Sequence, residues 1–150
     1  MKRRIAGGRT WSLAVTLLLL GTTVHARTIT INSEGTGDYP TIRAALNAAV
    51  SGDTIVLDPG AYFGFGNQDI TLVGKALTLR SRDPNDPVVV ADTVIDCQAD
   101  RMSWSTHWVI GAEGGGGTHL TLAGLTLING LEVGVGGSIR AEEADLDVLN

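Results

Sequence analysis

From residue 54 onward the chain is a series of short apolar runs separated by turn-forming clusters, and no other feature limits its architecture so strongly. The runs are "TIVL" at 54–57, "ALTL" at 76–79, "VVVADTVI" at 88–95, "HWVI" at 107–110, "HLTLAGLTLI" at 119–128, "SIRA" at 138–141 and "LDVLN" at 146–150. Most are four or five residues long and rich in Val, Ile, Leu and Thr, the composition of strands. Between them lie "DPG", "VGK", "RDPNDP", "GGGG" and "GVGG", which break any regular element. The pattern predicts no second amphipathic helix after residue 54, which excludes strand–helix–strand units. An antiparallel sandwich or barrel, or a coiled solenoid of strands, remains.

Spacing favours the solenoid. Leu57, Leu79, Ile95 and Leu122 end successive strand cores at separations of 22, 16 and 27 residues, near the length of one turn in a repeat architecture. Asn129-Gly130 is the one tight-hairpin signal, whereas an antiparallel meander would use such pairs repeatedly.

One helix precedes the strands. Ile42, Ala45, Leu46, Ala49 and Val50 form an apolar stripe at helical spacing. Pro40 stands near the first helical position, Asp38 suits the positive end of the helix dipole, and Gly52 supplies a stop. A helix of about ten residues is marginal alone in water, so its stripe must be buried. A solenoid exposes the edge and the interior of its first coil, and the helix from Pro40 to about Val50 is expected to plug that end.

Residues 1–26 carry Lys2, Arg3, Arg4 and Arg9, then the apolar stretch "WSLAVTLLLL", then "GTTVHA". This is the pattern of a secretory signal peptide, and its apolar run is about half the roughly 20 residues needed to cross a bilayer. Cleavage after Ala26 would remove four of 11 Lys and Arg and none of 16 Asp and Glu, leaving a formal charge of −9. An acidic, exported domain of this kind argues against nucleic acid and anionic membrane as partners. Cys97 is the only cysteine, so disulfides do not staple the fold. Its ordinary reading is a small buried apolar residue; the alternative is a thiol whose partner lies elsewhere.

The segment "GTGDYPTIRAALNAAVSGDTIVLDPGAY", residues 35–62, resembles the opening of secreted right-handed parallel β-helix proteins of the pectin lyase-like superfamily. "TVIDCQADR", "LAGLTLINGLEVGVGGSI" and "LDVLN" resemble the next turns of its repeat-bearing bacterial members, so the likeness spans nearly all of residues 28–150. It implies an all-β, right-handed parallel β-helix (solenoid) of about four to five coils with a short N-terminal capping helix. The superfamily carries lyases, hydrolases, esterases, adhesins and surface proteins on one scaffold, so fold alone does not name a reaction. Pectin esterase is similar in its opening, including a Gly-x-Tyr-x-Glu turn that corresponds here to "GAYFG", but its acidic position is Gly64. The esterase stretches that carry its paired carboxylates have no counterpart, nor is a lyase's Ca²⁺-binding cluster readable.

The resulting expectation is a secreted or cell-surface scaffold or adhesion protein that contacts extracellular polysaccharide, with no catalytic residue, metal or cofactor assigned. The alternative is the N-terminal portion of a polysaccharide lyase, glycoside hydrolase or pectin esterase-like enzyme. "LDVLN" ends within a strand, which fits the front of a longer β-helix, or an edge that pairs with another copy.

Trp104, His107 and Trp108 in "SWSTHWVI" are the candidate ligand patch, because indole rings suit the apolar faces of sugars. The commoner role for such residues is packing, and His107 has no carboxylate or thiol nearby in sequence at metal-ligand spacing. Asp145 and Asp147 alternate with Leu146 and Val148 and so share one strand face, with Glu142 and Glu143 close by. A Ca²⁺ site can be imagined there, but a solvated outer face is the ordinary reading. "GAEGGGGTH" lacks the Lys and Ser or Thr that follow a phosphate loop and reads as a turn.

Overall fold

The computed structural model describes residues 25–99, 106–131 and 137–149. Most of the segment read as a signal peptide, and Trp104 of the expected ligand patch, lie outside them. The protein is mostly β, and among the described residues all eight strand pairings are parallel. One sheet holds β1 (Thr28–Ile31), β2 (Thr54–Leu57), β5 (Ala76–Ser81), β8 (His119–Ala123) and β11 (Asp145–Leu149), in that order. A second sheet holds β3 (Gly60–Phe63), β6 (Thr93–Asp96) and β9 (Thr126–Ile128), and a third β4 (Ile70–Val73), β7 (Ile110–Glu113) and β10 (Ile139–Glu142). From β2 onward the chain visits the first, second and third sheets in unbroken rotation.

The pairing register aligns like residues between neighbouring strands. Ile29, Ile55, Leu79, Leu122 and Val148 form one column of the first sheet, and Leu77, Leu120 and Leu146 a second. Tyr62, Ile95 and Leu127 align in the second sheet, and Ile70, Ile110 and Ile139 in the third. These columns supply half of the buried cluster, which is how four-residue strands from three sheets make one core. Spacing alone therefore conflates two sheets: Leu79 and Leu122 share a column, whereas Ile95 belongs to another. Tyr62 is buried with its hydroxyl donating to Asp58 O at 2.7 Å, and Ile31 O lies at 3.1 Å.

The helix α1 spans Ile42–Ala48, shorter than the stripe predicts. Thr41, not Pro40, opens it; its Oγ1 accepts from Ala44 N at 3.2 Å, the N-cap arrangement. Asp38 is engaged elsewhere, accepting from Thr30 N at 2.7 Å, so it contributes no cap. The backbone turns extended at Ala49, which keeps Ile42, Ala45, Leu46 and Ala49 buried but swings Val50 into solvent. Cations from other elements satisfy the last carbonyls: Lys75 Nζ donates to Leu46 O and Asn47 O, both at 3.0 Å, and Arg27 Nη2 to Ala48 O at 2.6 Å. The helix packs against β1, the terminal strand of its sheet. Its first turn is tied to the approach of β4, with Ile42 N donating to Asn67 Oδ1 at 3.0 Å and Arg43 N to Gly66 O at 2.8 Å.

Three expectations need correction. "VVVADTVI" is not one strand: α2 occupies Pro87–Asp92 and β6 begins only at Thr93. Asp86 caps α2 by accepting from Val88 N at 2.9 Å and Pro87 presets its first turn, so capping chemistry overrides the β preference of three valines. "HLTLAGLTLI" is two strands of different sheets. Gly124, at φ +59°, breaks it where a Cβ would collide with Pro84. Asn129-Gly130 makes no hairpin; Asn129 turns the chain after β9 in a left-handed conformation, and the isolated antiparallel bridge nearby joins His107 to Leu131.

Candidate functional site

Asp69 gathers His107, Trp108 and Arg43 around itself on the surface. It precedes β4 in a left-handed conformation, φ 53°, which Asp tolerates better than most residues. Because Ile70 pairs with Ile110, the residues just before these two strands are brought alongside one another. Asp69 N donates to Trp108 O at 2.7 Å, and Trp108 N donates back to Asp69 Oδ1 at 3.1 Å. The other carboxylate oxygen lies 2.6 Å from His107 Nδ1. A hydrogen on Nδ1 suits this contact, since the Asp69 carboxylate oxygen can only accept.

The helix adds a cation. Arg43 Nη2 donates to Asp69 O at 2.8 Å and Gln68 O at 2.9 Å, and its guanidinium lies 5.5 Å from the centroid of the Phe65 ring. Phe65 is 91% exposed, an unusual position for an aromatic ring. Phe63, at the end of β3, is exposed as well. The corner therefore combines an open apolar ring, a guanidinium, an imidazole and a partly buried indole. Arg43 Nε and Trp108 Nε1 are buried without a partner, so the exposed Phe65 ring is the most accessible of the four.

Of the residues singled out from sequence, His107 and Trp108 are brought together and fastened by Asp69. His107 thus has a carboxylate partner after all, 38 residues away. Sequence reasoning misses Asp69, Arg43 and Phe65. An aromatic isolated between glycines in "GFG" is the available signal for Phe65, since such a residue has no apolar sequence neighbours to hide it.

Asp145 and Asp147 do share the solvent face of β11, where His119 of β8 joins them: its Nε2 is 3.1 Å from Asp147 Oδ2 and its Nδ1 4.0 Å from Asp145 Oδ2. Glu142 pairs with Arg140 at 2.7 Å. Among the described residues no group of three or more His, Cys, Asp or Glu is placed to hold a metal ion. The four glycines 114–117 all have positive φ and form the turn from β7 to β8.

Cys97 is fully buried, and burial, with the nearby Asp69 and Asp96 carboxylates, pushes its thiol up to about 11. At pH 8 its thiolate fraction is about 100-fold below that of an ordinary thiol. Titration with an aromatic disulfide reagent is expected to be slow on the native protein and prompt in denaturant. Rapid reaction without denaturant would contradict the burial.

No family model, curated protein or solved structure matches this chain. Among the described residues no helix is long and apolar enough to cross a membrane.

Proposed function

We propose that the three parallel sheets close into a right-handed parallel β-helix of the pectin lyase-like kind, and that the protein is a secreted or cell-surface scaffold that holds polysaccharide at the Asp69 corner. The rotation of successive strands through three sheets supports the β-helix, and α1 against β1 fits its capping helix. The polysaccharide reading rests on one observation: Asp69 locks His107 and Trp108 in place while Arg43, bonded to the same residue, lies near the open Phe65 ring. Apolar ring faces match the C–H faces of sugars, and a guanidinium matches hydroxyl or uronate oxygens.

Affinity electrophoresis through gels containing neutral or uronate-rich polysaccharide tests this. The protein is expected to be retarded, and Phe65→Ala to weaken retardation about tenfold, a cost typical of losing a ring that stacks on a ligand. Phe65 is so exposed that this change leaves folding intact. Adding Trp108→Ala should remove the remaining retardation. An unretarded protein, or Phe65→Ala migrating like the parent, would end the proposal.

The Asp69–His107 pair favours a second reading. A carboxylate 2.6 Å from Nδ1 is also how those hydrolases that use an imidazole base orient it, and that geometry alone points to the N-terminal portion of a polysaccharide-degrading enzyme. Incubation with the same polysaccharides, with and without Ca²⁺, and measurement of new reducing ends distinguishes the two. Release of reducing ends that His107→Ala abolishes would replace the scaffold with the enzyme.

A further inference from the structure

Just before β1 the ladder meets a charged acceptor. Thr54 N donates to Arg27 O at 2.9 Å, in line with the pairing of Thr28 with Thr54. One step further back, a parallel ladder would offer Arg27 N a main-chain carbonyl of the neighbouring strand. Here the Asp53 carboxylate takes that place, with Arg27 N donating to its Oδ1 at 3.0 Å. The other oxygen, Oδ2, accepts from Arg27 Nε at 2.9 Å and from Val50 N at 3.0 Å. The Asp53 side chain has no solvent exposure, whereas that of Arg27 is half exposed, and His25 and Ala26 are exposed just upstream. Among the described residues Asp53 is the one buried carboxylate.

A neutral amide needs only a neutral acceptor. A buried carboxylate is costly unless positive charge answers it, yet the group against Oδ1 is a main-chain nitrogen. That nitrogen is the atom that becomes the N-terminus if the leader is removed after Ala26, where the sequence pattern places cleavage. Hydrolysis of the Ala26–Arg27 amide puts the water oxygen on the Ala26 carbonyl carbon and leaves a free amine on Arg27. At neutral pH this amine takes up a proton from solvent and carries a full positive charge.

We propose that removal of the leader completes the fold, because the new α-ammonium of Arg27 pairs with the buried Asp53 carboxylate and makes the processed domain more stable than its precursor. The proposal rests on the secretory reading of residues 1–26. Oδ1 then holds an ammonium and Oδ2 a guanidinium, and charge-assisted bonds of this kind are about twice as strong as neutral ones. The other charged and titratable groups nearby are common to precursor and product. Arg27 Nη2 is held on Ala48 O, Lys75 on Leu46 O and Asn47 O, and Asp38 and Tyr39 line one hollow with Arg27. His25 departs with the leader. An amine that gains a carboxylate partner on folding is raised above its unfolded value of about 7.7–8.0. Its contribution is therefore complete below that value and lost as pH rises through the folded one.

Mass spectrometry of the exported product is expected to give a chain that begins at Arg27. A chain that keeps its leader would refute the secretory reading, and one that begins elsewhere would take the amine off Asp53; either overturns the proposal. The chain beginning at Arg27 is then compared in urea with its Nα-acetylated form, which restores an amide at that nitrogen, and with a chain that keeps Ala26. At pH 7 the free-amine chain is expected to have an unfolding equilibrium constant at least about tenfold lower than either. The advantage should narrow as pH rises from about 8 to about 10.5, and acetylation should change nothing in Asp53→Asn. Equal stability of the free-amine and acetylated chains at pH 7 would overturn the ion pair while leaving secretion intact. So would an advantage that persists unchanged at high pH or in Asp53→Asn.

Discussion

Replacing Leu46 by Asp is expected to leave no soluble, cooperatively folding protein. Leu46 is 3% exposed on the face of α1 that joins the core cluster with Ile42, Ala45 and Ala49. Truncating such a leucine to Ala costs about 2–5 kcal/mol through lost transfer energy and the cavity left behind. A carboxylate at the same point adds the cost of burying a charge or of holding it protonated, several kcal/mol more. A domain of this size has a total stability of about 5–15 kcal/mol, so the sum removes most or all of it. Melting α1 would also bare β1, an unpaired strand edge prone to pair with other chains. Leu46→Met, which conserves volume, should cost less than about 1.5 kcal/mol. Soluble yield and urea denaturation separate these outcomes. A soluble Leu46→Asp protein with a sharp, parent-like transition would show that α1 is not needed over the core.

Asp53→Ala is expected to cost about 2–4 kcal/mol and to remove an acid-dependent component of stability. Asp53 is almost completely buried and accepts three hydrogen bonds: from Arg27 N at 3.0 Å, Arg27 Nε at 2.9 Å and Val50 N at 3.0 Å. It thereby joins the start of β1 to the chain leaving α1. Burial pushes its carboxyl upward, but donation from the Arg27 and Val50 main chain and from the Arg27 guanidinium outweighs this and holds it below 3.8. A carboxyl lowered on folding contributes its full stability above the unfolded value of about 3.9, and that contribution is lost as pH falls through the folded value. Urea midpoints measured from pH 6 down to pH 2.5 should show the loss below about pH 4 in the parent. Asp53→Ala should be less stable at pH 6, with the gap closing at the acid end. A gap that is constant with pH would mean that the three hydrogen bonds do not depend on the charge.

Elements whose periodicity arises from burial are legible in the order of the residues themselves. The stripe of Ile42, Ala45, Leu46 and Ala49 announces α1 because those residues are buried together, and "TIVL" and "ALTL" announce β2 and β5 for the same reason. The failures have local causes. Val88, Val89 and Val90 look like strand, but the Asp86–Pro87 start decides in favour of α2. β3 buries a single side chain, β1 and β4 bury alternate residues just as β5 does and yet are missed, and β8 runs into β9 in sequence because the break depends on the backbone angle of Gly124. The candidate site is half visible. His107 and Trp108 advertise themselves by chemistry, whereas Asp69 becomes their partner only through the register of β4 on β7, a relation between residues 38 positions apart.

The register has one further implication, for how such a chain can change over generations. Ile55 and Leu79 are neighbours in their column and 24 residues apart in sequence; Leu79 and Leu122 are equally close neighbours and 43 residues apart. The additional length runs through α2 and the His107–Trp108 segment, so it is spent outside the column while the strand spacing stays fixed. Insertions and deletions between strands can therefore rewrite the recognition chemistry without disturbing the interior, and selection can act on the two almost independently.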